Sequence, residues 1–143
     1  MHIVKGGCHC GNISYVAEFP KELHTYTPRA CDCKLCKHHG AAYTSDKNGR
    51  LLIKIKNETE VSRYRQGSRI ADFIICKNCG IMTGVCYEES GCVYGSINIR
   101  SSDEYGLFSD GQEMQLTQLS DDDRIKRWKD KWFSGVVIEY EKS

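Results

Sequence analysis

The chain has 143 residues, enough for one domain with a modest core. Hydrophobic residues make up 40% and the mean hydropathy is −0.51, so such a core gains from a staple, which nine cysteines can supply. Twenty Lys and Arg against 19 Asp and Glu leave a formal net charge of +1, without the basic excess of a domain that lives on phosphate contacts, and no nucleic-acid partner is expected.

The N-terminal stretch Met1 to Gly7 lacks an apolar segment of signal-peptide length, and no window reaches membrane-spanning length. A cytoplasmic protein with no membrane partner is expected, its thiols kept reduced. His2 to Lys5 reads as a short strand that runs into Gly6-Gly7 and delivers Cys8 and Cys10. Ile13, Tyr15, Ala17 and Phe19 alternate with Asn12, Ser14, Val16 and Glu18, the period of a strand with one apolar face, and Pro20 ends it. Thr25 to Thr27 reads as a further strand, placed at an edge by Pro28.

Ala41 to Thr44 is expected to be a strand. Asn48-Gly49 then predicts a type I′ hairpin leading into Leu51 to Ile55. Val61 to Tyr64, a turn at Gln66-Gly67-Ser68 and Ile70 to Ile75 predict a second hairpin that delivers Cys76. Val85 to Tyr87 and Cys92 to Tyr94, around Ser90-Gly91, predict a third, with Ile97 and Ile99 extending its second arm. A helix is signalled late: Ser120 is placed as an N-cap with Asp123 three residues on, and Ile125, Trp128 and Trp132 share a face. Gly135 stops it before a last strand, Val136 to Ile138. Asp121 to Lys131 holds four Asp and five Lys or Arg and reads as a solvated helix face. The fold class is therefore mostly β with one short C-terminal helix.

Seven of the nine cysteines fall in three clusters: Cys8-His9-Cys10, Cys31-Asp32-Cys33-Lys34-Leu35-Cys36, and Cys76-Lys77-Asn78-Cys79. In a reducing compartment such clusters are metal sites or redox centres more often than structural disulfides. Structural zinc takes four ligands and favours thiolates. A C-x-C and a C-x-x-C knuckle each place two sulfurs on one side of a tight turn. Cys8, Cys10, Cys76 and Cys79 thus suit a closed structural site, worth roughly 10 kcal/mol of folding free energy.

That division leaves Cys31, Cys33 and Cys36 with a vacant fourth position, the pattern of catalytic zinc. Three other readings stay open. His38 or His39 fills the vacancy and makes an inert site; Cys8 and Cys10 pair with Cys31 and Cys33 instead; or the thiols form a disulfide redox centre. Cys86 and Cys92 flank a turn signal and could face each other across a hairpin; the favoured reading is that they are free thiols packed as small hydrophobes. His9 and His24 are read as surface residues, and Trp128 and Trp132 as core.

Gly7-Cys8-His9-Cys10-Gly11, the Cys31-x-Cys33-x-x-Cys36 stretch and Phe73-Ile74-Ile75-Cys76-x-x-Cys79-Gly80 together resemble the glutathione-dependent formaldehyde-activating enzyme family, which also contains centromere protein V. Ser96-Ile97-Asn98-Ile99-Arg100 resembles the strand that follows the family's last cysteine pair, and the resemblance covers about residues 5 to 105.

The resemblance implies a single zinc-binding domain over residues 1–143 with a β-tent fold, two small antiparallel sheets meeting around zinc. By position it implies Cys8, Cys10, Cys76 and Cys79 as structural ligands and Cys31, Cys33 and Cys36 as catalytic ones, with two zinc ions per chain. The implied activity is that of a carbon–sulfur lyase. It would join a small-molecule thiol, glutathione above all, to formaldehyde or a related electrophile, with Lys34 and Lys37 near enough in sequence to offset the thiolate charge. The alternative is a non-catalytic zinc-stabilised binding module with both metals structural. A chromatin role is disfavoured by the near-neutral charge. The chain departs from the family pattern at Asp32, where His is usual, at Lys37, where Arg is common, and at Ile81, where Thr is common. These positions border the metal ligands and so bear on the substrate pocket.

Overall fold

The computed structural model describes residues 1–65, 69–114 and 118–141. Its elements are β1 (His2–Gly7), β2 (Ile13–Phe19), β3 (Arg29–Cys31), α1 (Lys34–His39), β4 (Tyr43–Thr44), β5 (Arg50–Ile55), β6 (Val61–Tyr64), β7 (Asp72–Cys76), β8 (Met82–Glu89), β9 (Cys92–Asn98), β10 (Gln112–Met114), α2 (Asp121–Lys131) and β11 (Val137–Tyr140). They form a four-stranded sheet in the order β1-β2-β5-β11 and a seven-stranded sheet in the order β10-β3-β4-β9-β8-β7-β6. The interior of each sheet is antiparallel, and each ends in one parallel pair, β5 with β11 and β3 with β10. This is the mostly-β, two-sheet β-tent architecture that the sequence suggests.

Period-2 alternation sets the inner face of the small sheet. Ile13, Tyr15, Ala17 and Phe19 of β2 and Leu51, Ile53 and Ile55 of β5 are buried, and they meet Ile74, Cys76, Cys86 and Ile97 of the large sheet. Phe19 sits among three rings, with Tyr26, Phe108 and Phe133 at 5.0, 5.7 and 5.2 Å in edge-on contact. The large sheet is covered on its other face as well. There Met82 and Val85 pack with Cys33, Cys36, Tyr43 and Trp132, which explains why five consecutive residues of β8, Met82 to Cys86, are all buried.

Helix α2 begins as expected, with the Ser120 hydroxyl accepting from the Asp123 N–H at 3.2 Å and three Asp in the first turn. Trp128 and Trp132 stack at 4.8 Å; Trp132 is buried with Met82 and Val85, as a core residue, while Trp128 is half-buried against them.

Three local expectations are corrected. Asn48-Gly49 does not close a hairpin between β4 and β5, because β4 pairs with β3 and β9 while β5 pairs with β2 and β11. The turn, in which the Asp46 carboxylate accepts from the Asn48 N–H, instead carries the chain from the large sheet to the small one. A Cβ on Gly49 would lie 2.2 Å from the Glu18 carbonyl oxygen, so only glycine passes that close to β2. The segment at Thr25 to Thr27 is no strand; a 3₁₀ turn at Leu23–Thr25 precedes it, and pairing starts at Arg29 just after the fully buried Pro28. Ile99 belongs to a 3₁₀ turn, Ile99–Ser101, rather than to the arm of β9. The turn expected at Gln66-Gly67-Ser68 lies outside the described residues.

A candidate metal centre and the cavity beside it

The two ends of the outer cysteine set arrive by different routes. Strand β1 runs into a tight turn in which the Cys8 N–H donates to the Ile13 carbonyl at 2.9 Å and the Ile13 N–H points at Cys8 Sγ at 3.2 Å. Hairpin β6–β7 delivers Cys76 into a matching turn, where the Cys76 N–H donates to the Ile81 carbonyl and the Gly80 N–H to the Cys76 carbonyl. Gly80 takes φ +81°, a left-handed conformation that glycine adopts at no steric cost.

The sulfurs of Cys8, Cys10, Cys76 and Cys79 all lie within 4.8 Å of one another. Cys8 to Cys10 is 3.7 Å and Cys10 to Cys76 is 3.6 Å. A tetrahedron with zinc–sulfur bonds of about 2.3 Å has edges of about 3.8 Å, so the four thiols suit a thiolate-bound zinc. Burial pushes the Cys76 thiol up to about 12, while hydrogen bonds from the Asn78 side chain and the Asn12 backbone pull the exposed Cys10 down to about 6.

The central three come from a different device. Cys31 closes β3, and Cys33 is the N-cap of α1, its sulfur accepting from the Cys36 N–H at 3.4 Å. The sequence reading missed this six-residue helix. It is too short to show a 3.6-residue apolar period, but Cys33 three residues before Cys36 and Gly40 after His39 are its start and stop signals. One turn of helix turns the three sulfurs inward, and they too lie within 4.8 Å of one another. All nine cysteines are free thiols, and the sulfurs of Cys8 and Cys10 gather with those of Cys76 and Cys79 rather than with those of Cys31 and Cys33.

Among the described residues no His, Asp or Glu joins the central three at that distance, and both His38 and His39 are exposed. Cys31 and Cys36 pull the Cys33 thiol well below the ordinary thiol range, and Cys31 and Cys33 push Cys36 well above it. The cluster thus favours one thiolate held by two thiols, a set in which a cation readily replaces the protons. The buried Tyr43 hydroxyl stands 3.1 Å from Cys36 Sγ and 3.3 Å from Met82 Sδ. No signal in the sequence marked Tyr43 as part of the site.

Cys31 and Cys36 open onto a cavity of about 500 Å³, within the range of about 300–1,000 Å³ usual for small-molecule sites. Ala41, Ala42 and Phe108 supply a buried apolar floor, and Lys37 and Arg100 stand at the exposed rim. Lys34 is exposed on α1 and does not line this cavity. The remaining residues singled out join neither sulfur group. His9 and His24 are exposed, and Cys86 and Cys92 do not face each other, since Cys86 pairs with Gly95 and Cys92 with Glu89.

A family model described as the glutathione-dependent formaldehyde-activating enzyme matches residues 3–116. The chain belongs to that family. The match takes in both sulfur groups and the cavity, while α2 and β11 lie beyond it. A crystal structure of a Rhodobacter sphaeroides protein is also similar, at 25% identity over 70% of this chain and 88% of that one, with a TM-score of 0.50. Among the described residues, no helix of this family member is long and apolar enough to cross a membrane.

Proposed function

We propose that this member of the formaldehyde-activating family is a carbon–sulfur lyase that makes and breaks the adduct of glutathione, or a similar thiol, with formaldehyde or a related small electrophile. Cys8, Cys10, Cys76 and Cys79 would hold a structural zinc, and Cys31, Cys33 and Cys36 a catalytic one, within a single cytoplasmic domain. The reading is carried by one observation: three convergent thiols, with no fourth His, Asp or Glu donor among the described residues, border a cavity of small-molecule size.

A zinc ion held by Cys31, Cys33 and Cys36 would supply Lewis acidity, which lowers the pKa of a thiol towards neutral pH. Cys31, Cys33 and Cys36 set where that thiol sits. Tyr43 fixes Cys36 by its 3.1 Å contact, which holds one corner of the ligand triangle. Ala41, Ala42 and Phe108 keep water from the inner wall, so the nucleophile meets the electrophile in a partly dry space. The thiol sulfur attacks the carbonyl carbon; a carbon–sulfur bond forms, the π pair moves to oxygen, and the thiol proton ends on that oxygen. The reverse path breaks the same bond.

The test is the electronic spectrum of the cobalt-substituted protein with and without glutathione. A change on adding thiol is expected for the wild type and not for Cys33→Ser. An unchanged wild-type spectrum would favour the non-catalytic module with two structural metals.

A further inference from the structure

The cavity beside Cys31 and Cys36 carries four ionised side chains on its rim: Lys37, Arg100, Asp110 and Glu113. Two of them neutralise each other, since Lys37 Nζ lies 3.6 Å from Glu113 Oε1. The other two have no such partner among the described residues. The Arg100 guanidinium sits 5.8 Å from the centre of the Tyr105 ring, which steadies it without cancelling its charge. Asp110 makes no ion pair with any described residue. The lining of the cavity thus combines two thiols with one spare cation and one spare carboxylate.

We infer that Arg100 and Asp110 select a thiol whose far end is zwitterionic, Arg100 receiving a carboxylate and Asp110 an ammonium group. The inference rests on the proposal that a thiol enters this cavity, and it adds what distinguishes the right thiol from others. Arg presents a planar fork that matches a carboxylate, and the charge-assisted contact is stronger than a neutral one. A thiol whose far end is an α-amino acid, as in glutathione, satisfies both rim charges at once. A simple thiol satisfies neither and is held by its sulfur alone. Both rim residues are exposed, so replacing them leaves no void in the core.

The experiment titrates the cobalt-loaded protein with four probes: glutathione, glutathione esterified at both carboxylates, glutathione acetylated at its amine, and 2-mercaptoethanol. Arg100→Gln should weaken glutathione and the acetylated probe about five- to tenfold while the diester and 2-mercaptoethanol stay within about twofold of wild type. Asp110→Asn should weaken glutathione and the diester and spare the other two. Wild-type affinity for glutathione in either variant overturns the inference, as does an equal loss for 2-mercaptoethanol, which would mean that the metal end had moved. If no probe alters the wild-type spectrum, the thiol proposal itself falls and this inference falls with it. If the probes register in the wild type and the variants respond alike, only the assignment of Arg100 and Asp110 is lost.

Discussion

Opening the outer sulfur group should loosen the whole fold, and Cys10→Ala is the cleanest way to do it. Cys10 is exposed, so the substitution removes a ligand without cutting a cavity in the core. Cys10 and Cys76 are 66 positions apart, with their sulfurs at 3.6 Å. A cross-link that closes a loop of such length restricts the unfolded chain by about 4 kcal/mol. In a chain of this size the loss of that cross-link alone corresponds to a fall of at least about 10–15 °C in Tm. The assay is thermal unfolding followed by circular dichroism, at a chelator concentration that leaves the wild type loaded. The metal-stripped wild type should melt with the variant. If Cys10→Ala instead melts within about 3 °C of the loaded wild type, the outer group does not staple the two sheets.

The central group should behave in the opposite way. Its three ligands lie within one six-residue stretch, so Cys33→Ser should cost one metal equivalent and the thiol-dependent activity yet lower Tm far less than Cys10→Ala, by metal analysis and the same melts. Tyr43→Phe removes the hydroxyl beside Cys36 and should weaken metal binding at that group about 10- to 100-fold, read by chelator competition, with the outer group unaffected. Burial pushes the Cys86 thiol from 9.0 up to about 12 in the folded chain. The native state therefore holds that proton longer than the unfolded one. Its contribution is complete below about pH 9 and is lost as pH rises towards 12, so Cys86→Ala should flatten the fall in stability across that window by about 1.4 kcal/mol per pH unit.

Strands whose faces differ were legible in the sequence. Ile13 to Phe19 alternates because one side meets the core and the other meets solvent, and β8 and β9 declare themselves by the Ser90-Gly91 turn between them. Partner choice was not legible. Asn48-Gly49 marks a turn correctly, but whether the next strand folds back or crosses to another sheet depends on β2 and β11, which are distant in the chain. Helix α1 escaped because six residues cannot display a helical period. The sulfur groups were the most legible feature of all, since tight knuckles bring neighbouring thiols together whatever surrounds them. The cavity was the least legible. Part of its lining comes from Arg100, Tyr105 and Asp110, in a stretch after β9 whose residues show no periodicity.

The two sulfur groups are proposed to differ in kind, one closed and one open. Metal content measured together with thiol competition tests that claim directly. Two zinc equivalents per chain are expected, one of them displaced or perturbed by glutathione and the other indifferent to it. One equivalent, or two that both ignore the thiol, would contradict it.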